Sequence, residues 1–519
     1  MTNIVPVKKK YIIGTRGSLL ALTQCGQIKD QLEELTGDEF ELKVIKTQGD
    51  QIVDKPLWQL EGKDFFTKEL DAELLEKKID LVVHSYKDLG SDRPQGIKLA
   101  AITKRAYAQD ILLIKKTTVE KLSQKTEFIV GTSSPRRIVN IESQLSQFLP
   151  HGNNLEVKTK MLRGNVNTRI GKLVEDQYDA IVLALPGIER LAITQSSRIE
   201  LEALLEGMTF MILPQSIFPS AASQGALGIE CLEDRDDNGE LLEKLQKVQD
   251  KDTVSEVSRE RHAFANYGGG CHLAVGINVM KAGDYYLHVH RGAVDDKTVA
   301  EIHLEGSFPS PDKKTKAFIG MPASKLEKDG ELNEFTPCRL LKKTELKLEQ
   351  LPEGDTLISS SYGMNNLEKA SGAIFTAGTK TWQQLAQKGL WANASCDSLG
   401  EAYLENIRNS KTLEIMLGAN RSLNILTNEE GYSKYGNILG AYKKEILELS
   451  QAEEDELLNC DTFYWTSFSQ YQAYTQKYPK IAEGFHCCGL GKTLEAFKER
   501  EISVRPFSSI TEFKNWFKK

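Results

Sequence analysis

Residues 268–275 read GGGCHLAV, three glycines ahead of a thiol and then an apolar run. Three residues without side chains let another backbone or a bulky ligand come close to Cys271. His272 is not its catalytic partner, because successive side chains on an extended segment point to opposite faces. No neighbour stands at metal-ligand spacing, and no metal is expected anywhere in the chain. By residue type alone Cys271 reads equally as a small buried hydrophobe. Its surroundings point instead to an accessible thiol facing a cleft.

The second chemical signal is a set of basic residues placed where strands hand over to helices. GTRGS (14–18) puts Arg16 just ahead of a helix, and GTSSPRR (131–137) puts Arg136 and Arg137 at the start of another. LRGNVNTR (162–169) sets Arg163 and Arg169 around a Gly/Asn turn that opens a helix, and ALPGIERL (184–191) adds Arg190. Free N–H groups at helix starts and guanidinium forks both bind carboxylates and phosphates. In a chain of formal charge −7 these cations are concentrated rather than general. VHSYKDLG (83–90) places Lys87 and Asp88 just after a strand, where α/β proteins put ligands. The ligand predicted is a small molecule with several acidic groups. GLGKT (489–493) is not a phosphate loop, since His486 stands where that motif requires glycine.

These residues need elements to hold them. Strands are expected at 11–14, 40–47 and 79–85, and in EFIVGTSS, YDAIVLAL and LGIECL, with an amphipathic helix over 18–35 capped by Ser18. YYLHVHRGAV and KTVAEIHLEG flank a turn and read as a hairpin. The alternation of strands and helices is that of an α/β protein, and 519 residues imply three or more domains. Residues 306–350, rich in Lys, Glu, Pro and Asp, read as the main linker. Beyond them TLISSSYGMNNLEKA resembles DTFYWTSFSQYQAYT, and AIFTAGTKTWQQLAQKGL resembles HCCGLGKTLEAFKEREI, which predicts two similar α/β halves. The first residues lack the apolar stretch of a secretion signal, and no run is long enough to span a bilayer. Eight scattered cysteines suit a cytoplasmic protein with reduced thiols. The mild acidic balance argues against nucleic-acid binding.

Nine blocks, in order, resemble the porphobilinogen deaminase (hydroxymethylbilane synthase) family over residues 10–336: GTRGSLLAL, TQGDQIVDKPL, FFTKELDAELL, IDLVVHSYKDL, GTSSPRR, LRGNVNTR, YDAIVLALPGIERL, SQGALGIEC and GGGCHLAVG. The resemblance implies two periplasmic-binding-protein-like lobes, 10–105 with 208–232 and 106–207, and a small α/β domain at 233–336. It implies a dipyrromethane cofactor joined to Cys271 through a thioether. Four porphobilinogen molecules are then polymerised to hydroxymethylbilane with release of ammonia. Asp88 is implied as the catalytic carboxylate, with Lys87 beside it. Arg136, Arg137, Lys87, Ser133 and Ser85 would hold the cofactor, and Arg16, Lys63, Arg163, Arg169, Arg190 and Gln224 the substrate and growing chain. The expected enzyme is a monomer, with no membrane or nucleic-acid partner. Departures from the family pattern include Gln48, Gln59, Glu61, Asp64 and Pro135.

Residues 337–519 resemble uroporphyrinogen III synthase more weakly, a family with two α/β lobes that closes hydroxymethylbilane into a ring. Thr466 and Ser467 match its F-T-S-P turn in part, its first βα unit looks truncated here, and Tyr442 is the nearest match to its tyrosine. Two competing readings are a non-catalytic polyanion-binding protein, which leaves Cys271 and Asp88 unexplained, and a cysteine-nucleophile transferase. A C-terminal region that only docks on the deaminase is the alternative for 337–519.

Overall fold

The structure, a computed structural model, describes residues 8–47, 67–270 and 272–519. Gln48, Gln59, Glu61, Lys63, Asp64 and Cys271 lie outside the described residues.

Two five-stranded sheets share one plan. In the first lobe the order is Glu39–Ile45, Lys10–Arg16, Leu81–Ser85, Leu227–Leu232, Ile97–Ile102. In the second it is Glu156–Lys160, Glu127–Gly131, Ala180–Ala184, Asp110–Lys115, Met208–Ile212. Each holds three parallel strands and then one strand that runs antiparallel to both neighbours. That antiparallel strand is where the chain arrives from the other lobe, so residues 103–109 and 213–226 form two crossings between them. The crossings touch: Ala106 N–H donates to Gly225 O at 3.1 Å. A Cβ on Gly225, whose φ is +93°, would lie 2.6 Å from Tyr107 O, so this contact needs glycine.

Local signals put the helices where the site needs them. Ser18 caps Leu19–Thr36, accepting from Ala21 N–H. Asn165 caps Val166–Val174, accepting from Thr168 N–H at 2.8 Å. Pro135 opens Pro135–Gln144 at a position where its missing N–H costs nothing.

The expected hairpin is present and is joined by a third strand, giving Ala274–Ala282, Tyr285–Val294 and Lys297–Glu305 in antiparallel order. The helix Lys251–Asn266 covers one face of this hairpin domain. The other face meets the second lobe, with Ile277 N–H on Ser220 O at 2.8 Å and Asn140 Nδ2 on Arg291 O at 3.2 Å.

The C-terminal region has two sheets, and the linker expectation fails there. Ala317–Pro322 pairs with both Phe335–Cys338 and Thr462–Trp465, with Phe318 opposite Phe463. The order of this outer lobe is Phe335–Cys338, Ala317–Pro322, Thr462–Trp465, Phe485–Gly489, Arg505–Phe507, all parallel. The boundary set at 336/337 therefore moves ahead of Ala317. The first βα unit, read as truncated, is Ala317–Pro322 with helix Ala323–Lys328. Its apolar run, AFIGM, is too short to stand out from the charged residues on either side. The inner lobe is inserted into the outer one, in the order Leu341–Glu345, Asn437–Ile446, Leu423–Asn428, Asp355–Ile358, Ile374–Thr376, Ala394–Ser395. The internal repeat becomes one central strand and the next parallel strand in each lobe, Asp355–Ile358 with Ile374–Thr376 and Thr462–Trp465 with Phe485–Gly489.

The inner lobe docks on the second lobe through shared cores. Leu112, Phe128 and Phe148 lie in one cluster with Ile358, Trp382 and Leu426. Trp382 is fully buried, and its Nε1 donates to Phe148 O at 3.2 Å. The sheet edges meet as well, with Ile212 N–H on Asn393 O at 2.7 Å. Buried Glu189 accepts from the N–H groups of Lys411 (2.8 Å) and Thr412 (2.9 Å), closing the start of helix Lys411–Leu417.

Two outcomes follow from this packing. Trp382→Ala should cost about 3–5 kcal/mol in urea unfolding by leaving a cavity in the shared core, and should destabilise the second and inner lobes together; a loss confined to the C-terminal region would show that the cores are separate. In the hairpin domain, His288 and His290 pack beside His303, Tyr267, Arg259, Glu301 and Glu305, and burial pushes the His290 imidazole down to about 4 and His288 below its ordinary value. The unfolded chain binds the extra protons, so this contribution is intact above about pH 6.5 and is lost as pH falls toward 4, at up to about 1.4 kcal/mol per pH unit for each histidine. His290→Phe should flatten that slope in thermal unfolding between pH 7 and 4.5. An unchanged slope would place the acid sensitivity elsewhere.

Candidate functional site

The carboxyl ends of the parallel strands in both lobes open onto one cavity of about 960 Å³. From the first lobe come Arg16, Lys46, Ser85, Lys87 and Asp88, from the second Arg137, Arg163, Arg169, Lys172 and Arg190, and from the crossing Gln224 and Gly225. Among the described lining residues eight are basic, and Asp88 is the single carboxylate. The residues that supply them sit in positions set by the fold. Arg16 ends a strand, Lys87 and Asp88 belong to a short turn of 3₁₀ helix after Leu81–Ser85, and Arg163 and Arg169 bracket the Asn165 cap.

A buried carboxylate organises this set. Asp110, at the end of the crossing, receives Arg137 through two bonds, Nε to Oδ2 at 2.9 Å and Nη2 to Oδ1 at 2.8 Å. Arg136 Nη2 also reaches Oδ2 at 2.9 Å, and Gln224 Nε2 donates to Oδ1 at 2.9 Å. Two guanidinium groups hold the Asp110 carboxyl well below the usual carboxylate range against the cost of burial. Gln224 then accepts from Lys87 Nζ at 3.3 Å, which carries the arrangement across to the first lobe. Burial lowers the pKa of Lys87 despite Asp88 beside it.

Three arginines of the second lobe differ from this pair. Among the described residues Arg163, Arg169 and Arg190 form no ion pair with a carboxylate, and Arg163 Nε is buried without a hydrogen bond. Arg169 Nε donates to Gly164 O at 2.7 Å and Arg190 Nη2 to Gly225 O at 2.7 Å, leaving their other nitrogens toward the cavity. Burial lowers Arg169 to about 10, with Arg137 and Arg163 adding to it, and burial alone lowers Arg190 to about 10. Both stay charged at neutral pH.

Most of the expected residues meet in this cavity, but two do not line it. Arg136 is buried, with its guanidinium on Asp110 and on Pro219 O (2.7 Å). Ser133 Oγ is turned to Leu162, donating to its O at 2.9 Å and accepting from its N–H at 3.1 Å. Ser85 does line it, bonded to Gln24 at 2.9 Å. Lys63 and Cys271 lie outside the described residues, although Gly268, Gly269 and Gly270 just before Cys271 all have positive φ. Sequence reasoning missed Asp110, Lys46 and Lys172. Lys46 follows a strand as Arg16 does, and Lys172 sits one helical turn after Arg169, so both carried a readable signal. Asp110 carried none. The one cluster of metal-ligand type among the described residues, Asp71, His84 and Glu230, already encloses the Arg93 guanidinium, which lies 2.6 Å from Asp71 and 2.7 Å from Glu230.

The described donor set fits a polycarboxylate. Among the described residues, guanidinium groups and the Asp88 carboxylate surround a space large enough for linked pyrrole rings. In the C-terminal region Thr466 is bonded to Gly320 O and Gln470, Ser467 opens helix Phe468–Lys477, and Tyr442 is buried against Tyr362.

Comparison with known proteins agrees with the first 240 residues most directly. Residues 11–240 match the family model described as "Porphobilinogen deaminase, dipyromethane cofactor binding domain". A porphobilinogen deaminase from a Nostoc species is 36% identical over 312 residues, covering 59% of this chain and 89% of that one. One from Streptococcus sanguinis is 35% identical over 295 residues, covering 57% and 90%. Among solved structures, a probable amino-acid ABC transporter extracellular-binding protein from Bacillus subtilis covers 50% of this chain and 94% of its own, at 11% identity and a TM-score of 0.26. With cleft, cations and sequence in agreement, the chain belongs to the porphobilinogen deaminase family.

Proposed function

We propose that residues 8–316 act as a hydroxymethylbilane synthase, joining four porphobilinogen molecules with loss of four ammonia molecules on a dipyrromethane primer held by Cys271. The observation that carries this reading is the two-lobed cavity in which, among the described residues, eight basic side chains surround one carboxylate, that of Asp88. Porphobilinogen carries one acetate and one propionate, so each added unit brings two carboxylates for guanidinium groups to hold. Arg163, Arg169 and Arg190, which form no ion pair with a carboxylate among the described residues, are the groups available to do so. Arg16, Lys46 and Lys172 widen the same field.

When bound, the primer supplies a pyrrole carbon as nucleophile. Asp88 accepts the pyrrole N–H of the incoming unit, and its negative charge stabilises the positive charge that develops as ammonia leaves. Lys87, held by Gln224, sets the position of Asp88 and offers a cation to a neighbouring carboxylate. The Asp110 pair keeps Arg137 rigid at the cavity wall, so the site does not reorganise as charge develops. Water finally releases the linear product.

For residues 317–519 the proposed role is that of a uroporphyrinogen III synthase-like region acting on that product. Support comes from two α/β lobes, one inserted in the other, and from the strand–Ser/Thr turn–helix repeat at 355–369 and 462–477. The extensive docking surface equally suits a region that only braces the deaminase. Seven described cysteines are all unpaired, which suits the reducing cytoplasm.

Intact-protein mass tests the first reading. The purified chain should carry an excess equal to two porphobilinogen units less two ammonia, and Cys271→Ser should lack it. A wild-type chain without adduct, even after incubation with porphobilinogen, would remove catalysis and leave a polyanion-binding protein. Asp88→Asn should keep the adduct and lower kcat by about 10²–10³-fold with a small change in KM. Activity within about twofold of wild type would take the catalytic role from Asp88.

A further inference from the structure

The chain passes between the two C-terminal lobes along an antiparallel pair, Leu341–Glu345 with Asn437–Ile446, in which Lys343 stands directly opposite Lys444. Like charges in that position repel. Neither ammonium forms an ion pair with a carboxylate among the described residues, and Glu430 acts on Lys444 only through its charge. Burial lowers the pKa of both, that of Lys444 to about 8 with Lys343 contributing. Two half-buried cations facing each other cost stability, and among the described residues neither has a carboxylate counter-ion to offset it.

What surrounds them is suited to a ligand. Lys343 Nζ lies 5.4 Å from the ring centre of Tyr442 and 5.6 Å from that of Tyr362, and Tyr362 is 39% exposed. Lys444 donates to Ser469 Oγ, and Ser469 lies 3.2 Å from the Ser467 hydroxyl. Ser467 is the N-cap of the ten-residue helix Phe468–Lys477, yet its side chain makes no capping bond. Cys338 closes the back of the cluster, accepting from Tyr474 Oη at 3.4 Å and Gln470 Nε2 at 3.5 Å. The outer lobe thus supplies hydroxyl groups, the crossing supplies two cations, and the inner lobe supplies an aromatic face open to solvent.

We propose that Lys343 and Lys444, with Ser467, Ser469 and the Tyr362 ring, bind the carboxylate side chains of a pyrrolic polycarboxylate at the junction of the two C-terminal lobes. The ligand class rests on the reading of this region as acting on a tetrapyrrole. The demand for an anion rests on the lysine pair alone. Carboxylate or phosphate would satisfy the ammonium groups equally, whereas only a ring-bearing ligand uses Tyr362.

Lysine acetylation on the full chain tests this. The chain is treated at pH 8 with an N-hydroxysuccinimide acetate, alone, with uroporphyrin I as an eight-carboxylate probe, or with inorganic phosphate, and each lysine is followed by peptide mass. Uroporphyrin should slow modification of Lys343 and Lys444 about tenfold and leave exposed Lys121 unchanged. Protection by phosphate to the same extent overturns the polycarboxylate assignment, and protection by neither overturns the site. K343Q/K444Q should unfold at the same or a higher temperature, because the opposed charges are gone, and should lower the ratio of uroporphyrinogen III to isomer I formed from porphobilinogen. Protected lysines in a chain that yields only isomer I would sink the ring-closing reading and keep the site. Isomer III from a chain with unprotected lysines would do the reverse.

Discussion

The carboxylate of Asp110 sits where three parts of the molecule must agree. It terminates one crossing between the lobes, anchors two arginines of the helix Pro135–Gln144, and holds Gln224 of the other crossing. A buried charge of this kind earns little net stability from its partners, because desolvation consumes most of the Coulomb gain. Its value is geometric. Remove Asp110 and two guanidinium groups would be buried without a counter-ion, at a cost of about 3–5 kcal/mol. Arg137, Gln224 and Lys87 would then lose the one atom group that relates them. The cavity depends on it because the groups around the cavity are long, flexible side chains whose direction the backbone does not set.

The same crossings are gripped from outside. Gln109, next to Asp110, donates to Tyr403 Oη at 2.7 Å, and Tyr107 Oη donates to Asn406 O at 3.1 Å. On the return crossing Ser216 bonds to Asp397 through both its N–H and its hydroxyl, while its carbonyl accepts Arg291 from the hairpin domain. The inner lobe therefore touches both strands that join the deaminase lobes. The edge strands Met208–Ile212 and Ala394–Ser395 cover each other, which removes two open sheet edges that a free lobe would have to protect. The C-terminal region is thus joined to the first three domains through packing as well as through the chain.

Much of this was legible in the residues. Ser18 and Asn165 declare helix starts by the chemistry of their own side chains, and arginines at strand ends declare an anion site because their positions follow from local periodicity. Pro135 announces the helix carrying Arg136 and Arg137. The uses to which those two arginines are put were not legible. A single Asp before ILLI carries no local signal, and its two arginine partners lie 26 and 27 residues away in the chain, so the pairing exists only in three dimensions. The stretch 306–350 misled for a related reason. LKKTE forms a half-exposed strand whose polar face resembles a linker, and AFIGM is a central strand only because Thr462–Trp465, far along the chain, comes to lie beside it.

The two anion-binding arrangements differ in a way that fits what each would hold. The deaminase cavity uses mainly arginine, whose planar fork binds a carboxylate through two bonds and keeps its charge even when buried, as Arg169 and Arg190 do. A chain lengthening by stages has to be held firmly at each one, and groups that never lose their charge meet that need. The site proposed at the junction between the C-terminal lobes uses lysine, a point charge whose ammonium form burial disfavours. A pair that repels itself until an anion arrives binds without fixing orientation tightly. That would suit the ring-closing role proposed for this region, because two ammonium groups can exchange carboxylates where two guanidinium forks would hold them in place.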